Sequence, residues 1–258
     1  NLPHELLVFA RINNLVIGLL CILLLMGVFN REVLKTETNL VQERERSDRL
    51  LHAVLPQKIA NELRKSDSMI ANRHPEVTVL FADIAGFTPW ASKQDPEVVV
   101  SLLEKIFSRF DAIVARLGAE KIKTIGDAYM VVAGAPEVRA DHAETMANFA
   151  LEMIEKMKEF RSISTGEEVQ IRIGIHSGEV VAGVIGKKKF AYDLWGDAVN
   201  TASRMESHGE AGKIHVTEEF MNALVGAEDV LPLRFIPRGE MEIKGKGKMK
   251  TYFLEQYQ

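Results

Sequence analysis

Residues 6–29 read LLVFARINNLVIGLLCILLLMGVF, an apolar block that a charged, helix-prone segment follows at once. Its uninterrupted part, Leu15 to Phe29, has 15 residues, and a helix of that length covers about 22 Å. A bilayer core takes about 20 residues, and the turns from Leu6 to Ile12 supply the difference. Arg11, Asn13 and Asn14 lie towards one end, where a long side chain can snorkel to the interface. A buried core helix is the competing reading; a secretory leader is disfavoured because no small-x-small cleavage signal follows. Arg31 and Lys35 flank the far end, which by the positive-inside tendency puts the rest of the chain in the cytoplasm. The sequence thus predicts a transmembrane helix at 1–30, a helical linker at 31–72 and a globular body at 73–258.

Residues 31–66 are charged and helix-prone, with no glycine and only Pro56. Leu34, Val41, Leu51, Val54, Leu55, Ile59 and Leu63 recur at spacings near a heptad. Such a segment either pairs with its twin or stays a solvated helix, and the sequence leaves both open. A net charge of −4 lacks the basic excess of a nucleic-acid binder. The single cysteine, Cys21, allows neither an intrachain disulfide nor a cysteine metal cluster, which fits a reducing compartment.

From Val77 the pattern turns to short alternating runs. Strands are predicted at 77–82, 120–125, 128–133, 168–176, 179–185, 213–217, 232–236, 240–244 and 250–256, and helices at 95–116, 139–160 and 197–208. In order this is β-α-β-β-α-β followed by further elements, an α+β, ferredoxin-like (split βαβ) plan with helices on one face.

Two aspartates stand where strands give way to glycine-containing turns. Asp83 ends VTVLFAD, and Asp127 follows Gly126 in KIKTIGDAYMVV, a hairpin-type turn. An Asp beside a Gly is ordinary turn chemistry. Two such carboxylates brought together repel unless cations sit between them, and magnesium takes one or two protein carboxylates plus phosphates and water. The backbone at 84–88, ending in Phe87 and Thr88, offers amides ahead of a helix as a seat for a phosphate. Farther on, Asn200 and Arg204 in FAYDLWGDAVNTASRME lie four apart on one helix face, where Arg204 could fork onto phosphoryl oxygens. A lysine donor and an aspartate acceptor, Lys123 and Asp193, complement the N1 acceptor and N6 amino donor of adenine, whereas guanine reverses that edge.

Together FADIAGFT, EKIKTIGDAYM, YDLWGDAVNTASRME and EIKGKGKMKTYF resemble the catalytic domain of class III adenylyl cyclases, over about residues 40–258. Within that family the chain is similar to the mycobacterial membrane enzymes with six spans, of which residues 6–29 would be the last. The resemblance implies that Asp83 and Asp127, with the Ile84 carbonyl, bind two Mg2+ or Mn2+ ions per site. It implies that Lys123 and Asp193 read adenine, that Asn200 and Arg204 align ribose and stabilise the transition state, and that Lys244 contacts the terminal phosphates. The substrate would be ATP, and the partner a second copy of the chain in a head-to-tail homodimer with two shared sites. No nucleic acid is expected, and the N-terminal helix would hold the enzyme at the cell membrane with its catalytic domain in the cytoplasm.

Two rival readings are a guanylyl or relaxed nucleotide cyclase and a catalytically silent module signalling through membrane and dimer contacts. The full set of carboxylates, Asn and Arg argues against the second. A P-loop enzyme is disfavoured because no GxxxxGK[ST] occurs.

Overall fold

The computed structural model describes residues 4–52, 54–65, 70–161, 168–186, 190–224, 233–243 and 245–256. The chain divides into two units, Asn1–Val54 and Leu55–Gln258. The first is one continuous helix, α1 (His4–His52), which runs through both the predicted span and most of the predicted linker. Its most apolar window has a mean hydropathy of 2.5, and none of that window is buried among the described residues.

Pro56 interrupts the helical run, and α2 (Gln57–Lys65) begins directly after it. Leu55, Ile59 and Ala60 are buried in the second unit, so this short amphipathic helix packs with the globular body. The strands that follow are β1 (Ala71–Ile84), β2 (Glu120–Ile125), β3 (Ala128–Ala133), β4 (Ile171–Ile185), β5 (Ala191–Trp195), β6 (Ile214–Thr217), β7 (Leu233–Ile243) and β8 (Gly247–Gln256). The helices are α3 (Phe87–Ala91), α4 (Pro96–Leu117), α5 (His142–Met157), α6 (Asp197–Ser207) and α7 (Glu218–Leu224). Sheet order is β2-β3-β1-β4-β6-β8-β7, with β5 also on β4. The first four strands with α4 and α5 form the expected split βαβ core. β4–β6 is a parallel pair; β1 is antiparallel to both β3 and β4.

The sequence plan needs three corrections. The runs 168–176 and 179–185 form one strand, β4, because Ser177 and Gly178 stay paired with Thr78 and Val77. The runs 232–236 and 240–244 likewise join in β7, with a register shift between Pro237 and Gly239 absorbing the interruption. Helices also occupy both faces. Leu80, Ala82 and Ile84 of β1 and Ile171, Ile173 and Ile175 of β4 pack with α4, α5 and α7 in the main core. The alternate positions face the other way, and there Gly174 lets α6 lie directly on the sheet: a Cβ at Gly174 would meet the Glu206 amide nitrogen at 1.9 Å.

Candidate active site

Asp83 and Arg172 are register partners across β1 and β4, and Arg172 Nη2 donates to Asp83 Oδ2 at 2.7 Å. Asp127 sits in the two-residue turn between β2 and β3, where Gly126 takes a φ of 65° and Ile125 pairs with Ala128. That turn carries the Asp127 carboxyl into hydrogen-bond contact with Asp83 and with the Ile84 amide. Burial, then the hydrogen bond and the charge of Asp83, push the Asp127 carboxyl up to about 6. Ile84 itself is buried at the end of β1.

Glu206 reaches the same cluster from α6, with Arg172 Nη2 at 3.2 Å from its Oε1. Desolvation first, then Asp83 and Asp127, push its carboxyl to about 7, against the pull of Arg172. Two carboxylates, Asp83 and Glu206, therefore meet one guanidinium in a half-buried setting, with Asp127 beside Asp83. Arg172 Nε and Glu206 Oε1 are buried without a hydrogen-bond partner, since the Glu206 contact has ion-pair distance but not hydrogen-bond alignment. Excess negative charge and orphaned polar atoms are what a cation with an oxyanion would satisfy. Among the described residues no set of three or more His, Cys, Asp and Glu side chains converges on a metal-sized point. The carboxylate pair fits a divalent cation whose remaining positions substrate oxygens would fill.

Phe87 and Thr88 open α3 directly after Gly86, whose φ is 73°. Phe87 is half-buried against the core and 5.7 Å from the Trp90 ring, whereas Thr88 is exposed. A second cluster joins β2 to β5: Lys123 Nζ donates to Asp193 Oδ2 at 2.5 Å, and Asp193 Oδ1 accepts from the Leu194 amide. A third lies along α6, with Asn200 exposed and Arg204 half-buried. A Cβ at Gly245 would lie 3.9 Å from Arg204 Nη1, and Lys246 pairs with Asp197. Lys244 lies outside the described residues.

The structure brings Asp83 to Asp127 and Lys123 to Asp193, and it sets Arg204 on a different side of α6 from Glu206. Arg204 and Glu206 are two positions apart, about 200° around a helix, and Glu206 is the one that reaches Asp83 and Arg172. Arg172 and Glu206 are additions that the sequence reading did not assign. Their signals were a charged residue set in the apolar alternation IRIGI and the glutamate of SRMES.

Residues 69–256 match the Adenylate and Guanylate cyclase catalytic domain. The chain belongs to that family. It is 43% identical over 227 residues to the guanylate cyclase soluble subunit beta-2 of Rattus norvegicus, covering 88% of this chain and 33% of that one. It is also 43% identical over 225 residues to an adenylate cyclase of Mycobacterium tuberculosis (strain ATCC 25618 / H37Rv), covering 87% and 49%. The chain therefore spans less than half the length of either relative. Among solved structures, it is similar to the catalytic core of a rhodopsin-guanylyl cyclase with converted specificity in complex with ATPalphaS. That similarity has a TM-score of 0.67 and 45% identity, over 72% of this chain and 98% of that one. Relatives of both base specificities are equally near, so overall likeness does not choose the base of this cyclase.

Proposed function

We propose that this cyclase converts ATP to 3′,5′-cyclic AMP and pyrophosphate, at sites shared by two copies of the chain and held at a membrane by α1. The observation that carries the choice of base is the Lys123–Asp193 pair. An ammonium and a carboxylate side by side offer one donor and one acceptor, the complement of the adenine edge. Against guanine both would face like groups, and a site that closes over such a mismatch discriminates by about 10⁴.

Asp83 and Asp127 are the carboxylates that would hold two Mg2+ or Mn2+ ions, with the Ile84 carbonyl as a further ligand. Bound there, the ions supply Lewis acidity that lowers the pKa of the ribose 3′-hydroxyl and neutralises the pyrophosphate leaving group. Arg172 meanwhile holds Asp83 and offsets the repulsion between the acids. Asn200 orients the ribose, and the Arg204 fork takes up charge at the reacting phosphorus. Lys244 would contact the terminal phosphates, next to the amides at Phe87 and Thr88.

Two features support sharing between copies. Asn200 and Arg204 lie on a different side of α6 from Glu206, which pairs with the chain's own Arg172. In addition Val181 and Trp195, which are register partners on β4 and β5, are exposed together with Ile185 and Phe190. Apolar surface of that kind marks an interaction face. For α1, an uncovered apolar helix of this length supports a membrane span, with the catalytic unit on the cytoplasmic side.

The test is product analysis. Purified protein incubated with ATP or with GTP, in Mn2+ or Mg2+, should yield chiefly cyclic AMP by mass. Preferential cyclic GMP would overturn the Lys123–Asp193 argument, and a dimer that yields no cyclic product from either triphosphate would overturn the activity itself.

A further inference from the structure

The ribbon formed by β7 and β8 touches both ends of α6. At the first residue of the helix, Asp197 pairs with Lys246, which lies in the turn of that ribbon. At the other end Arg238, in the bulged stretch of β7, donates from Nη1 to the His208 carbonyl, and its Nη2 lies 3.8 Å from Glu210 Oε1. The guanidinium is held from below: its Cζ stands 5.0 Å above the Phe253 ring of β8, and Nη1 lies 3.4 Å from both nitrogens of the buried His215. His215 Nδ1 in turn donates to the Met205 carbonyl at 2.7 Å, and His208 Nδ1 to the Arg204 carbonyl at 2.8 Å.

The last carbonyls of an α-helix have no partner within it, and cations near them are favoured by the helix dipole. Here donors arrive at residues 204, 205 and 208, the turn that carries Arg204. The bulge between Pro237 and Gly239 is what aims Arg238 at this end, since bulges redirect a side chain out of the strand register. The sheet beneath α6 fixes its height through Gly174, and the ribbon fixes where it lies along its own axis.

We infer that Arg238 is a positioning residue for the cyclase reaction: with the Asp197–Lys246 pair, it straps α6 to the β7–β8 ribbon and sets the placement of Arg204. This rests on the reading that Arg204 acts on the reacting phosphoryl group. Arg238 touches no substrate in this scheme. Its loss moves a group that counts only in the transition state, so it lowers turnover and leaves ATP binding nearly intact.

The experiment compares Arg238→Gln and Arg238→Lys with the parent protein. For Arg238→Gln, kcat for ATP is expected to fall about tenfold or more, with KM changed less than about threefold. Arg238→Lys keeps the cation at the helix end but not the fork, so it recovers part of kcat. This second variant keeps the test readable if the first melts much earlier than the parent. In an Arg204→Lys background, already slowed, adding Arg238→Gln should cost less than about twofold, because both changes act through one group. A loss confined to KM, an unchanged kcat, or a full tenfold loss in the Arg204→Lys background would overturn the inference. Failure of the underlying reading looks different: Arg204→Lys alone would then turn over like the parent, whatever Arg238 does.

Discussion

Glu120 opens β2 half-buried, and desolvation alone lifts its carboxyl from an ordinary 4.5 to about 7. Between those values the folded chain keeps a proton that the unfolded chain releases, so the native state binds more protons. Stability then falls as pH rises through that window. Glu120→Gln removes this loss while keeping the shape. Its melting temperature should match the parent near pH 4 and exceed it at pH 8. A difference that stays flat across that range would show that burial of Glu120 costs nothing on ionisation. The same physics raises the carboxyls of Asp127 and Glu206, which sit with Asp83 at the end of β1. How much of that cluster the sequence revealed depends on range. Asp83 and Asp127 were legible because a strand ending in Asp beside a Gly turn is a local signal. Arg172 and Glu206 were not, because their place depends on the β1–β4 register and on which face α6 chooses, and neither is written in neighbouring residues.

Elements show the same division between local and distant causes. β2 and β3 have the predicted bounds, since a Gly-Asp turn between two alternating runs specifies a hairpin without help from the rest of the fold. β5 and α7 escaped detection because five residues with an Asp and a Trp, and seven residues after a strand, carry too little periodicity to stand out. The position of α6 is the most consequential of the non-local outcomes. Its Ala198, Thr201, Ala202 and Met205 are buried on the sheet because Gly174 has no side chain, and from there Glu206 reaches Arg172. Gly174→Ala is therefore predicted to force backbone apart, since the added carbon would meet the Glu206 nitrogen at 1.9 Å and the Ala202 carbonyl at 2.6 Å. Overpacking against backbone costs about 3 kcal/mol, or about 6–12 °C in melting temperature for a domain of this size. Cyclase activity should fall further than the folded fraction does, because a lifted α6 takes Asn200, Arg204 and Glu206 with it. A variant that melts like the parent with full activity would mean that α6 does not rest on Gly174.

For the whole molecule, the decisive geometry is that one helix serves two directions. Glu206 pairs with the chain's own Arg172, and Asn200 and Arg204, about 40° apart around the helix, lie on another side of it. If those two residues complete a site, the acids they meet belong to another copy, and every chain contributes an acidic half to one site and an α6 half to the other. Such an arrangement is closed by a two-fold axis, which makes the two sites equivalent. Asp83→Ala removes the acidic half and Arg204→Ala the α6 half, so each variant alone should be inactive at both sites of its dimer. Mixed in equal amounts and allowed to exchange, half of the dimers become heterodimers. In each of these, one site carries both defects and the other carries neither. Recovered activity should then approach about one quarter of the parent value at saturating ATP, measured as cyclic AMP formed per chain. The recovery should also depend on total protein concentration, because it requires association. If heterodimers form by native mass spectrometry and yet no activity returns, each site must lie within one chain.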